Sequence, residues 1–391
     1  PLRLVGSEMC IRDRSCKENR NKVIMKIVEL ITFLAGGGAE RFVVDLSNQL
    51  AKENETYLVT ILDDKKETEV RNFFRSEISD SVHYVNLGLP NGLKLSSQWR
   101  VYTALKAFNP DVIHVHMIPT LKYSALAIGL LSFSKKVYFS VHSDLHNGYD
   151  KGLLRLYCNI LGRLGRFKLS CLSEKNYADF KAFYSRTPIR CITNGRAPIV
   201  STDLFGAVSN EMNLLKNNAS SLLLIHVARC HPVKNQKLLI ESVNILVQEG
   251  YNIDLIVVGA GFNTPEGQSI VSMACNRIHF VGPRKNVADY MLNAGIFCLS
   301  SNFEGMPITL LEASLAGLPA VSTPVCGAVD LIKDGVNGFL SKSHSLEDYK
   351  NALIKAIDNY DSIKANTMSM KDNSPYTIAE CARKYVEYFN E

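Results

Sequence analysis

The chain has 391 residues, of which 46% are hydrophobic and 21% charged, and a formal net charge of +6. This length allows two domains with cores of their own, and the composition excludes a disordered, collagenous or membrane-embedded class. Ten cysteines are scattered without a C-x-x-C pair, mostly inside apolar runs such as those around Cys171, Cys298 and Cys326. That excludes a disulfide framework and a zinc ribbon, and points to reduced thiols in a cytoplasmic protein.

In chain order, PLRLVGSEMCIRDR resembles a translated sequencing adapter, so residues 1–24 are read as a non-native leader, with the native start expected at Met25. Short apolar runs then alternate with helical patterns, as in parallel sheets covered by helices. Strands are expected at 26–33, 56–62, 82–87, 111–117, 136–141 and 168–173. The pattern breaks over 198–220, which is read as an interdomain segment. It restarts at 221–228, followed by 253–259, 278–282, 296–300 and 318–323. The expected fold is α/β, with two Rossmann-like domains (25–205 and 206–375) facing a central cleft and ligands beyond the carboxyl ends of the strands. The longest apolar run, 123–134, is too short to span a bilayer.

Charge is uneven. Between Lys135 and Arg196 there are 12 basic and 4 acidic residues. Such a basic half suits an anionic partner, such as a membrane surface or a lipid-linked phosphate; the alternative is a solvated face.

Several residue patterns carry chemistry. Gly36-Gly37-Gly38 follows the first strand and opens a helix, so backbone amides can approach a ligand. A tight turn is the plainer reading. His114 and His116 share one face of a strand, and His142 ends another. Arg229 and Lys234 lie in the loop after strand 221–228, where two cations can neutralise a diphosphate. Gly259-Ala260-Gly261 begins like a dinucleotide motif, but Thr264 stands where the third glycine is needed. In SNFEGMPITLLEASLAGLPAV, residues 301–321, Pro307 suits the first helical turn. The amides of Ile308, Thr309 and Leu310 are then free donors for a phosphate. Glu312 shares that face one turn deeper and suits paired hydroxyls, as on a ribose. Glu304, in the loop, suits a sugar ring.

EGMPITLLEA, followed by AGLPAVST and DLIKDGVNGFL, resembles the donor-site signature of retaining glycosyltransferases of the GT-B fold, family 4 (glycosyl transferases group 1). The resemblance runs from about Lys26 to Tyr388. One departure is Met306-Pro307, where many members carry an aromatic residue after the Glu-Gly pair.

The resemblance implies roles. Arg229 and Lys234 correspond to a pair that binds the donor diphosphate, and Glu304 and His142 join them in the catalytic set. Gly37, Gly38, Gly305, Met306, Ile308, Thr309, Leu310 and Glu312 line the donor site. Gly282 and Arg284 follow the strand whose loop passes beside the nucleobase. By position alone, just past His142 and near the end of its strand, Asp144 and His116 are read as acceptor residues. Residues 376–391 would cross back to the first domain.

The function implied is transfer of a hexose from a UDP-sugar or GDP-sugar to a glycan or lipid-linked acceptor in bacterial surface polysaccharide biosynthesis. The protein would be cytoplasmic or peripheral at the inner membrane face, and nucleic acid is not an expected partner. No cofactor is expected. No metal is expected either, since the chain lacks the Asp-x-Asp element that bridges a metal to the donor. Two alternatives are a nucleotide-sugar epimerase of the same fold and a noncatalytic nucleotide- or glycan-binding protein.

Overall fold

Apolar, β-branched runs with both faces covered build the strands, and all the pairings between them are parallel. The computed structural model describes residues 24–64, 71–142 and 152–391. The first sheet holds β1 (Lys26–Ile31), β2 (Glu55–Leu62), β3 (His83–Leu89), β4 (Val112–His116), β5 (Lys136–Ser140), β6 (Lys168–Cys171) and β7 (Ile189–Cys191), in the order β3-β2-β1-β4-β5-β6-β7. The second holds β8 (Leu222–Val227), β9 (Ile253–Val258), β10 (Ile278–Gly282), β11 (Ile296–Leu299), β12 (Ala320–Ser322) and β13 (Gly338–Leu340), in the order β10-β9-β8-β11-β12-β13. Both are doubly wound, and the fold is GT-B. The strand order reverses between β1 and β4, and again between β8 and β11. A crevice opens beyond the carboxyl ends of the strands at such a point.

Two strands escape the sequence pattern. β7 (IRC) and β13 (GFL) have three residues each and close one edge of their sheets, so neither needs a long apolar run. The segment 198–220 is also more ordered than its composition suggests. It carries the helix Phe205–Leu215, which buries Val208 and Met212. Its approach is fixed by Asp289, which accepts from the Thr202 amide at 2.8 Å and the Thr202 hydroxyl at 2.5 Å. No disulfide joins the eight cysteines among the described residues. Burial pushes the thiols of Cys158 and Cys381 up to about 12, which leaves them unreactive.

The last helix, Ile378–Asn390, is capped by the Thr377 hydroxyl and packs on the first sheet. Tyr138 donates to the carbonyl of Tyr388 at 2.8 Å, and Tyr388 donates to that of Leu169 at 3.0 Å. Arg196 and Thr377 pair as a parallel bridge. A Cβ at Gly195 would overlap the Thr377 carbonyl oxygen and the Cys381 side chain, so this crossing requires glycine.

One apolar cluster joins the two halves, running from Ile31, Phe42 and Leu46 through Ile308 and Leu311 to Phe297. Beside it, the buried Arg196 guanidinium donates to two carboxylates at once. Nε meets Oε1 of Glu312 at 2.8 Å, and Nη1 meets Oδ2 of Asp45. Asp45 lies on the helix Gly38–Leu50 and Glu312 on the helix Ile308–Leu315, so one side chain ties both halves. Removing one partner of a buried pair leaves an uncompensated charge. Arg196→Met is therefore expected to lower unfolding free energy by about 3–5 kcal/mol in urea titrations; a change below about 1 kcal/mol would mean that the pair does not tie the halves together.

Candidate active site

Both sheets direct their switch points at one cleft, and the candidate residues gather there. After β8 the chain turns through the short 3₁₀ helix Pro232–Lys234, stabilised where the His231 ring accepts from the Val233 amide. After β11 it turns through Ser300–Pro307. The two loops are pinned together: the Asn302 amide donates to the Val233 carbonyl at 2.8 Å, and the Ser300 hydroxyl donates to the Lys234 carbonyl at 2.9 Å. This brings Lys234 and Glu304, 70 residues apart in sequence, to 2.6 Å between Nζ and Oε1. The Ser301 hydroxyl donates to the same carboxylate oxygen at 2.6 Å. A half-buried ammonium and a half-buried carboxylate thus stand side by side on the cleft floor.

Arg229 is exposed at the start of the same loop. Its charge reaches the first domain. Burial pushes the Glu40 carboxyl up, and the Glu40 backbone amide and Arg229 oppose that rise. Glu40 stands in the first turn of the helix Gly38–Leu50.

Two helix starts meet here. The helix Gly38–Leu50 begins after Gly37, and a Cβ at Gly38 would lie 3.1 Å from Cγ1 of Ile308. The two positive helix ends therefore sit against each other across the seam, and Gly38 is small because the halves touch there. The helix Ile308–Leu315 starts one residue later than expected: Pro307 is the extended N-cap, not the first helical residue. Its carbonyl accepts from the Leu310 amide at 3.1 Å and the Leu311 amide at 3.2 Å. Leu310 is therefore not a free donor, and the anion site narrows to the amides of Ile308 and Thr309. The side chains of Met306, Ile308 and Leu310 are core residues, so only their backbone can face a ligand. Gly305 is buried beside them.

Two further expectations are corrected. His116 is fully buried, and its ring is engaged by Glu29 and His142, so it cannot touch an acceptor. The Arg284 side chain is held by Tyr290 Oη at 2.7 Å and by Glu211 at 2.9 Å, so its guanidinium is engaged within its own domain rather than left free for a base. Gly282, with φ of 75°, makes the turn into the Arg284 loop. Glu312 is half-buried and fixed by Arg196. Asp144 lies outside the described residues.

His142 follows β5 and packs beside the Phe42 ring, with centroids 5.5 Å apart. Its Nε2 meets Nδ1 of His116 at 3.0 Å. His116 Nε2 meets Oε2 of Glu29, and His114 Nδ1 meets that carboxylate at 2.9 Å. Burial pushes the Glu29 carboxyl up, but the two histidines outweigh it and bring it down to about 2. Burial, reinforced by His114 and opposed by Glu29, pulls His116 down to about 4. Burial also holds His142 well below its ordinary value, with His116 and His114 adding to the effect. Glu29, His114 and His116 each bring a possible metal-ligand atom within 4.8 Å of the others. Those atoms are all hydrogen-bonded within the group. Glu29 and Arg196 were not singled out from sequence as site residues. A lone glutamate inside an apolar central strand is the signal for the first, since a buried carboxylate requires partners.

Known proteins match along nearly the whole chain. Residues 36–197 match the family Glycosyltransferase Family 4, and residues 209–373 match Glycosyl transferases group 1. An Escherichia coli relative, UDP-Gal:alpha-D-GlcNAc-diphosphoundecaprenol alpha-1,3-galactosyltransferase, is 23% identical over 88% of this chain and 90% of its own. The capsular polysaccharide biosynthesis glycosyltransferase CapH of Staphylococcus aureus is 26% identical over 74% of this chain and 79% of its own. The crystal structure of Anabaena HepE with UDP and glucose superposes with a TM-score of 0.76 at 19% identity, covering 94% of this chain and all of that one (100%). With both family matches falling on the two sheets that meet at this cleft, the chain belongs to the family 4 glycosyltransferases of GT-B fold and is a transferase enzyme.

Proposed function

We propose that this enzyme transfers a hexose from a UDP-sugar, with retention of configuration and without a metal, to a glycan or lipid-linked acceptor in bacterial surface polysaccharide assembly. The observation that carries this reading is the Lys234–Glu304 pair at 2.6 Å beside the start of the helix Ile308–Leu315. A cation and free amides suit a departing diphosphate, and the neighbouring carboxylate suits the hydroxyls of the sugar that stays behind. Arg229 adds a second cation. Glu312, oriented by Arg196, suits the ribose. The UDP-sugar is favoured by the relatives: one is named for UDP-Gal, and HepE holds UDP and glucose. The lipid-linked acceptor is favoured by the diphosphoundecaprenol in the same name.

In this reading the sugar–phosphate bond breaks as the acceptor hydroxyl approaches from the same face. The leaving phosphate oxygen takes the hydroxyl proton, and configuration is kept. Arg229, Lys234 and the amides of Ile308 and Thr309 stabilise the charge that develops on the diphosphate. Removing one such preorganised contact typically costs ~10²–10³ in rate. Lys234→Ala is expected to lose transfer from a UDP-sugar to a polyprenyl-diphosphate sugar by roughly that factor while keeping its melting temperature. Full activity in a folded Lys234→Ala protein would overturn the donor site.

The acceptor reading places the first domain at a membrane surface. Among the described residues, no helix is long and apolar enough to cross a membrane. The helix Leu153–Arg163 buries Leu154, Cys158 and Leu161, yet Leu153, Leu156, Ile160 and the following Leu164 form a second, exposed apolar stripe. Phe133 is exposed nearby under the Arg166 guanidinium, and Arg155 and Arg163 are exposed on the same helix. Apolar side chains with arginines among them suit an anionic lipid interface. Replacing Leu156 and Ile160 by serine is expected to reduce co-sedimentation with phosphatidylglycerol vesicles and leave the fold intact. Equal sedimentation of both proteins would remove this surface from the account.

A further inference from the structure

The buried polar chain under the cleft has a direction. Glu29 lies on β1, His114 and His116 on β4, and all three side chains are fully buried. His142 follows β5. A carboxylate accepts hydrogen bonds and cannot donate them. His116 must therefore present Nε2–H to Glu29, and His114 must present Nδ1–H. On a neutral His116 the other nitrogen, Nδ1, then holds only a lone pair. Its partner at 3.0 Å is Nε2 of His142, which must carry the proton of that contact. On a neutral His142 this leaves Nδ1 as a bare acceptor. That atom is buried and has no hydrogen-bond partner among the described residues. The other branch ends differently. His114 Nε2 meets the Ser140 hydroxyl at 2.6 Å, and Ser140 meets Tyr385 Oη of the last helix at 2.9 Å.

We propose that Glu29, acting through His116, fixes the tautomer of His142 so that its Nδ1 accepts a hydrogen bond from a substrate hydroxyl. Glu29 and His116 are then positioning residues, and His142 is the group that meets substrate. One buried anion sets the polarity of two rings in series, and among the described residues the unmatched valence of that arm lies at its far end, on His142. The arrangement gives His142 no proton at Nδ1 to offer a phosphate oxygen, which separates its task from that of Arg229 and Lys234. A third group that locks a histidine tautomer is a known means of setting which nitrogen works.

The proposal rests on the transferase reading for its ligand, but its core is testable without one. The full chain, labelled with ¹⁵N-histidine, is examined by long-range ¹H–¹⁵N correlation at pH 7. His142 is expected to show a protonated Nε2 and a bare Nδ1, and His116 the same pair. In Glu29→Gln the amide can donate as well as accept, so His142 is expected to shift toward the opposite tautomer. Transfer is expected to fall roughly ten-fold in kcat, the worth of about one hydrogen bond, with little change in the KM for donor.

A wild-type His142 protonated at Nδ1 would overturn the proposal whether or not the variant folds. So would stoichiometric metal in the purified protein, since Glu29, His114 and His116 would then be ligands and their facing nitrogens would carry no protons. A UDP-induced rise in melting temperature alongside the wrong tautomer would leave the donor site standing and remove only the relay. The expected tautomer without any nucleotide binding would do the reverse.

Discussion

Arg196 is the hinge on which the site depends. It stands where the chain leaves the first sheet, beneath the returning last helix, and its guanidinium bridges Asp45 of one half and Glu312 of the other. Taking three charges out of water is costly, and only close, well-oriented contacts offset it. The geometry here meets that demand with a fork that matches two carboxylates, which a lysine could not reproduce. The consequence is local and functional at once. The pair holds the helix Gly38–Leu50 against the helix Ile308–Leu315, so that Gly38 can abut Ile308. Both helix starts and the Lys234–Glu304 pair then share one cleft.

The two sides of the cleft hold their charges differently. On the cleft floor the second half leaves Lys234 and Glu304 half-buried, where they neutralise each other. The first half sinks a carboxylate and two histidines into the sheet itself, under His142. Such networks are tolerable only when their members are satisfied, and Glu29, His114 and His116 are. Among the described residues, the exception along that chain is Nδ1 of His142, at its end.

Much of this was legible in the residues. Eleven apolar runs marked strands because a parallel sheet covered on both faces needs continuous apolar sequence. β7 and β13 were not legible, since a three-residue edge strand leaves no such run. The loop charges Arg229, Lys234 and Glu304, with Glu312 on the helix that follows, stood out by their place after strands and by family resemblance. Their meeting is a tertiary fact: nothing in a separation of 70 residues states that Lys234 reaches Glu304. Side-chain burial was the least legible quantity. His116 was expected at the acceptor because it ends a strand, yet the neighbouring Glu29 draws it inward. Arg284 was expected near the base, yet Glu211, from a segment read as linker, holds it. In each case a partner distant in sequence decided the side chain's direction.

The central claim is that this cleft binds a uridine diphosphate sugar through side-chain cations and a helix start. The most direct measurement is isothermal titration of UDP into the purified protein, in EDTA, against GDP and ADP as comparisons. The account predicts saturable one-to-one binding of UDP that persists without free metal and exceeds that of the other two nucleotides. Binding that appears only when divalent metal is restored, or no preference for UDP, would contradict it.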